Sequence, residues 1–429
     1  TAQGGSEGYE IDGSALTITG AGTYALTGSC PDGSVSVKKG TTGVTLVLNG
    51  LSLTSSDTAP IICGKSTEVT IMAASGSKNS LADSSANNSD DNPDNESAES
   101  AVIKCKDGSK VTLCGSGELS ITANGKNGIR SGATTDSEGE ASLTIKELTL
   151  DISAPVNDAI NAQQLLNLES GSITVSAGDD AVHCDLIMNI GAQDTDGPEI
   201  TVTQCSEGLE AAQLNILSGR IDIVSSDDCL NAANSDLSDY DFSINISGGS
   251  ISAYSSDGDG FDSNGDLNIS GGTVAVWTAS RADNQPLDAD GTLTVSGGTV
   301  FAAGSSSGMG LTLSAQQPCV TFASDSGTAR LAKSGAQVSV KASDGKELFT
   351  SDAPCDAAFV FFSAAELSDG EDADLYSGTD AVATAAVQSG SVSVGNGGGM
   401  GGMQPGGRPD NAGAEPPQGG AKPDGEPPQ

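Results

Sequence analysis

The chain has 429 residues, with 57 Asp and Glu against 18 Lys and Arg, one histidine, and a formal charge of −39 at pH 7. That balance argues against nucleic acid and anionic membrane surfaces as partners, and against an acidic polymer unless a cation bridges the two. Aromatic residues make up only 3%, so the core has to be built from Ile, Leu, Val and Ala, in one elongated domain with small appendages.

Residues 1–8 read as a disordered lead. Over 9–43, short strands such as Leu16-Thr17-Ile18 and Val35-Ser36-Val37 predict an N-terminal cap, which a solenoid needs to cover its open end. Val44-Thr45-Leu46-Val47-Leu48 begins the solenoid proper, which runs over 44–317. The stretch 82–100, almost all Asp, Asn, Ser, Ala and Glu, interrupts it as an exposed insertion loop whose acids are solvated. Over 318–380 the repeat is lost, and segments such as Gln337–Lys341 and Ala358–Phe362 predict a small antiparallel β subdomain. Residues 381–429 close the chain as a Gly-, Met- and Pro-rich tail or linker.

Within the central region one phrase keeps returning: Asn157-Asp158-Ala159-Ile160-Asn161-Ala162, Asp179-Asp180-Ala181-Val182-His183-Cys184, and Ser206-Glu207-Gly208-Leu209-Glu210-Ala211. It continues as Asp227-Asp228-Cys229-Leu230-Asn231-Ala232, Gly258-Asp259-Gly260-Phe261-Asp262-Ser263, and a degenerate Gln285-Pro286-Leu287-Asp288-Ala289. A second phrase runs between copies, as in Leu267-Asn268-Ile269-Ser270-Gly271-Gly272-Thr273-Val274. Units this short cannot bury their own apolar face and must stack. Apolar residues alternate with period two, so the class is all-β and the architecture a β-solenoid, a parallel β-helix. Gly271-Gly272 and Gly297-Gly298 mark bends that need a positive φ or a close backbone approach.

Stacking gives the phrase its chemistry. Its second position becomes a column of Asp158, Asp180, Glu207, Asp228 and Asp259, spaced about 4.8 Å apart. Neighbouring carboxylates there repel by roughly 3 kcal/mol at an effective dielectric near 20. The fifth position adds Asn161, His183, Glu210, Asn231, Asp262 and Asp288. Turn preference explains one acid per bend, not acids at two fixed offsets in successive copies. Oxygen donors in such an array suit a hard cation, Ca2+ above all. The expected ligands are Asp158, Asp180, Glu207, Glu210, Asp228, Asn231, Asp259, Asp262 and Asp288, with His183 read as a surface histidine.

Nine cysteines without a CxxC spacing read as buried thiols filling the core. Asp179-Asp180 resembles the aspartate pair of polygalacturonases, but the His-Gly turn and Arg-x-Lys strand of those enzymes are missing, and the pair recurs at Asp227-Asp228. A calcium-dependent lyase would need a base beside the metal. Between residues 150 and 300 only Arg220 and Arg281 are basic, and Arg130 lies one turn before the acid columns. No catalytic residue is therefore assigned.

The phrases Asp259–Gly265, Ile269–Val274, Ala303–Met309 and Ala21–Gly28 resemble those of the clostridial carbohydrate-binding β-helix family, over roughly residues 9–380. The resemblance implies a right-handed parallel β-helix, pectate-lyase-like in shape, that binds calcium and plant cell-wall polysaccharide (cellulose or acidic pectic chains). It implies a secreted or cell-surface protein and no catalytic residue; Cys184, Cys229, His183 and Pro286 depart from its pattern. The sequence starts without a signal peptide, as a trimmed secreted protein or a cytoplasmic one would, and has no apolar run of about 18 residues for a transmembrane segment. The expectation is a monomeric, non-catalytic, extracellular polysaccharide-binding protein, with a lyase or a protein-binding surface adhesin or spacer as alternatives. Strand alternation after the Gly-Gly bends sends Tyr254 and Trp277 outward, with Phe301 one turn on, and these three aromatics are the expected carbohydrate-binding strip.

Overall fold

Alternation sets which side of each strand is dry. In Leu148–Ala154, Leu148, Leu150, Ile152 and Ala154 are buried while Thr149, Asp151 and Ser153 face out, the pattern a pleated strand imposes. The computed structural model describes residues 7–279, 284–304, 311–324 and 330–394. Within them the chain is all-β, apart from a single 3-10 turn at Ser85–Asn87.

Most strands pair in parallel with the equivalent strand of the next repeat, so identical positions stack. Leu143, Leu166, Met188, Leu214, Ile244, Leu267 and Leu293 are register partners in succession. All lie in one continuous apolar core. A fully buried aliphatic side chain of this kind is worth about 1.5–3 kcal/mol. Parallel stacking starts within the segment expected as a cap, where Ala15–Ile18 lies against Ser34–Val37. Only Tyr9–Asp12 folds back antiparallel over that end.

The bends follow the glycines. Gly249, Gly272 and Gly298 hold φ of 84°, 81° and 82°. A Cβ on Gly271 or Gly297 would run into the carbonyl oxygens of Ser247 and Ser270 of the preceding repeat, so both expected reasons for the Gly-Gly pair apply. Beside these bends a ladder of amides links the repeats. Asn268 donates to Asn245 at 3.1 Å, Asn245 to Asn215 at 3.1 Å, Asn215 to Asn189 at 3.0 Å and Asn189 to Asn167 at 3.0 Å.

The insertion loop is better anchored than its composition suggests. Asp83 is buried, accepts from the backbone N–H of Asn124 at 2.6 Å and Gly125 at 3.1 Å, and takes the Asn87 amide at 2.8 Å. Its acids are therefore not all solvated.

Antiparallel strands close the C-terminal end, making the large sheet mixed. Phe359–Ser363 pairs antiparallel with both Leu293–Gly304 and Leu311–Ala323. Gln337–Ala342, Glu347–Asp352, Asp372–Ser377 and Asp380–Ala386 form a separate four-stranded sheet. Residues 381–394, read from composition as the start of the tail, are strand instead. Asp380–Ala386 pairs with Asp372–Ser377, and Gln388–Val394 pairs with Leu311–Ala323. Buried Val387 and Val392 hold them in place. Residues 395–429 and the expected lead over 1–6 lie outside the described residues, as do Arg281 and 305–309 of the Ala303–Met309 phrase. The cysteines are free, and all but Cys30 are buried.

Candidate functional site

The apolar fourth position of the phrase carries the acids. Ile160, Val182, Leu209, Leu230 and Phe261 stack in register and are fully buried. Each fixes its neighbour, so the fifth position is also one column: Asn161, His183, Glu210, Asn231 and Asp262 are register partners in turn. The second-position acids hold the bends of successive repeats together. Asp158 accepts from the Asp180 backbone N–H at 3.3 Å, Asp228 from that of Asp259 at 2.7 Å, and Asp259 from that of Gln285.

Among the described residues, three groups bring ligand atoms within 4.8 Å of one another: Asp158 with Asp179 and Asp180, Asp180 with His183 and Glu210, and Asp259 with Asp262 and Asp288. Burial, with the neighbouring carboxylates adding to it, raises Asp158, Asp180, Asp259, Asp262 and Asp288. Asp158 is pushed up to about 6, Asp259 to about 7 and Asp262 to about 6. Asp228 rises to about 7, burial outweighing its hydrogen bond from Asp259. Burial likewise raises Glu207; at Glu210 burial acts upward too but is outweighed by the His183 imidazole and the Glu207 carboxyl, which hold Glu210 down. Asn231 donates to Glu207 at 2.9 Å, yet its own buried Oδ1 accepts no hydrogen bond. A buried acceptor oxygen without a donor, set in register between Glu210 and Asp262, is a ready cation ligand.

His183 is not the surface histidine expected from the sequence. Its ring is half-buried, with Nδ1 3.1 Å from Asp180 and 3.6 Å from Glu210, and Nε2 3.0 Å from Asp185. Burial alone would lower it, but the hydrogen bonds to Asp180, Asp185 and Glu210 push it up to about 12. An imidazolium thus supplies the positive charge between Asp180 and Glu210. The donor set at Asp259, Asp262 and Asp288 is oxygen alone and fits calcium; the set around His183 fits it less well.

The aromatic strip does not survive. Trp277 and Phe301 are 3% and 0% exposed, their centroids 5.1 Å apart, and Phe301 stacks on Phe349 of the C-terminal sheet at 4.7 Å. Trp277 Nε1 donates to Ser351 at 3.2 Å, and Tyr254 packs on the same cluster. These rings leave the central core, as alternation requires, but enter a second core under the C-terminal strands. A sugar cannot reach Trp277 or Phe301.

A different pair is partly open to solvent, Phe242 also packing against the central core. Tyr240 and Phe242 are half-buried with ring centroids 5.7 Å apart. With Gln213, Asn245 and Asn268 they line an open groove of about 460 Å3, so the amide ladder runs into a surface that also offers aromatic edges. The signal for the ladder was legible in the recurring Leu166-Asn167-Leu168, Met188-Asn189-Ile190, Leu214-Asn215-Ile216, Ile244-Asn245-Ile246 and Leu267-Asn268-Ile269. Tyr240 and Phe242 sit between repeats, in a segment with no phrase to align.

The sequence profile of the carbohydrate-binding domain-containing proteins matches residues 12–308, well over half of the chain, and the chain belongs to that family. A carbohydrate-binding domain-containing protein of Acetivibrio thermocellus is 32% identical over 124 residues, which are 29% of this chain and 42% of the relative. The match thus spans less than half of that protein's length. Among solved structures, a polysaccharide lyase-like protein from C. thermocellum, a gadolinium derivative, aligns at 23% identity and a TM-score of 0.35, over 69% of this chain and 88% of that one. No helix of the described residues is long and apolar enough to cross a membrane.

Proposed function

We propose that the chain is a secreted or cell-surface, non-catalytic protein that binds plant cell-wall polysaccharide, cellulose or acidic pectic chains. In this reading the stacked repeats form a right-handed parallel β-helix, and calcium holds their acidic bends together. Asp259, Asp262 and Asp288 are the first choice of ligands, joined by Asp228, Asn231 and Glu210 along the columns, with Asp158 and Asp180 at a further position. Calcium would neutralise carboxylates that burial makes costly to ionise. The chain's residues supply the rest: backbone N–H groups orient the acids, and His183 adds a positive charge beside Asp180 and Glu210.

The observation that carries the sugar reading is the groove joining Tyr240 and Phe242 to Asn245 and Asn268, inside the residues that match the family. A sugar ring has an apolar face for an aromatic and a rim of hydroxyls for amides. The test is a binding isotherm against a polysaccharide panel for the wild type and Tyr240→Ala, with and without chelator. The expected result is saturable binding that Tyr240→Ala weakens at least tenfold. Unchanged affinity in the variant would remove the groove as the site. Release of an unsaturated product from pectate would replace the binding role with a lyase.

A further inference from the structure

The fifth-position column does not start at Asn161. One and two repeats earlier the same place is held by Arg130, the register partner of Asn161, and by Lys104, the register partner of Arg130. Two cations therefore stand in adjacent strands, side chains on one face, at the usual inter-strand spacing. In a chain with 57 acids and 18 bases, carboxylates are abundant enough to neutralise such a pair. The nearest ones, Glu99 and Asp107 by Lys104 and Asp90 by Arg130, are each ion-paired with another lysine. Glu99 is held by Lys106 at 2.5 Å, Asp90 by Lys126 at 2.5 Å and Asp107 by Lys65 at 2.8 Å. Neither Lys104 nor Arg130 has an ion pair within the described residues, and Arg130 Nε is buried with no acceptor. Burial, then Arg130 itself, pulls the Lys104 ammonium down to about 8. A buried guanidinium N–H without an acceptor, beside a second unpaired cation, is a costly arrangement unless an anion completes it.

We propose that Lys104 and Arg130 form an oxyanion-binding site. The guanidinium would offer its planar fork and the ammonium a second charge. The matching chemistry is a carboxylate carried by an acidic sugar, or a free inorganic oxyanion such as phosphate. This inference stands apart from the groove at Tyr240, since a free anion would satisfy it without any sugar.

The test titrates the full chain, in chelator, separately with inorganic phosphate and with trigalacturonate, following heat and melting temperature. Saturable binding of at least one is expected, weakened at least tenfold in Arg130→Gln and in Lys104→Gln, and unchanged in Lys38→Gln at an exposed position. Binding of trigalacturonate alone assigns the site to a sugar-borne carboxylate, and binding of phosphate alone to a free anion. A wild-type readout covers the case in which a variant does not fold. The groups facing Lys104 are Arg130, Glu99, Lys106, Cys105 and Asp107, and affinity should fall as pH rises through about 8 and Lys104 loses its charge. No saturable binding of either anion, or equal affinity in wild type and both variants, overturns the proposal. Cellohexaose binding, which reports on the groove, should be unchanged in Arg130→Gln, so the two readings fail separately.

Discussion

His183 shows how one residue can change what its column needs. With its imidazole raised from 6.5 to about 12 by the carboxylates around it, the ring contributes stability that is fully present below about pH 6.5 and is lost as pH rises toward 12. His183→Gln should therefore destabilise the metal-free protein most at or below neutral pH, with the gap to wild type narrowing in alkali, as thermal melts across pH would report. The raised acids act in the same direction. Asp228, Asp259 and Asp262 are easier to protonate in the folded chain than in the unfolded one, so in chelator the melting temperature should fall between about pH 4 and 7. Added calcium should reverse that fall, and its gain should be larger at pH 8 than at pH 5. The acid columns were legible because an offset of two or five within a phrase survives translation into a stack. The role of His183 was not, because it depends on Asp185 and Glu210 from two different repeats closing on one ring.

Strand alternation correctly placed Ile251, Ala253, Val274 and Val276 in the core and turned Tyr254 and Trp277 away from it. What lies on the far side is decided roughly 70 to 110 residues later in the chain, by Phe349, Ser351 and Phe362, and no local period reports that. Trp277→Ala should accordingly cost about 3–5 kcal/mol of stability, read as a shifted denaturation midpoint, while polysaccharide affinity per folded molecule stays the same. The amide ladder makes a contrasting element. Asn215 both donates to Asn189 and accepts from Asn245, at 3.0 and 3.1 Å. Asn215→Ala breaks both links and should cost about 1–3 kcal/mol, with the groove's affinity reduced as Asn245 loses its anchor. The extra strands over 381–394 escaped the sequence reading for a related reason. Their valines are few, and although Asp380–Ala386 closes a local hairpin, the partner of Gln388–Val394 precedes it by roughly 70 to 80 residues.

At the scale of the whole molecule, the chain carries a charge of −39, and stacked repeats place part of its acid in columns. Aliphatic columns were legible from composition and period together, and so was the gathering of acids at two fixed offsets. That His183 is the chain's own cation between Asp180 and Glu210 was not, and neither was the neighbour of Arg130, since Lys104 enters the column before the repeated phrase becomes regular. The most direct measurement is a calcium titration of the full chain at neutral pH, followed by melting temperature and by metal analysis of the purified protein. The predicted result is a concentration-dependent rise in melting temperature that Asp259→Ala weakens and Asp90→Ala leaves intact, Asp90 being paired with Lys126 and no member of the proposed ligand set. Identical melting curves in calcium and in chelator, with no bound ion found by metal analysis, would contradict it.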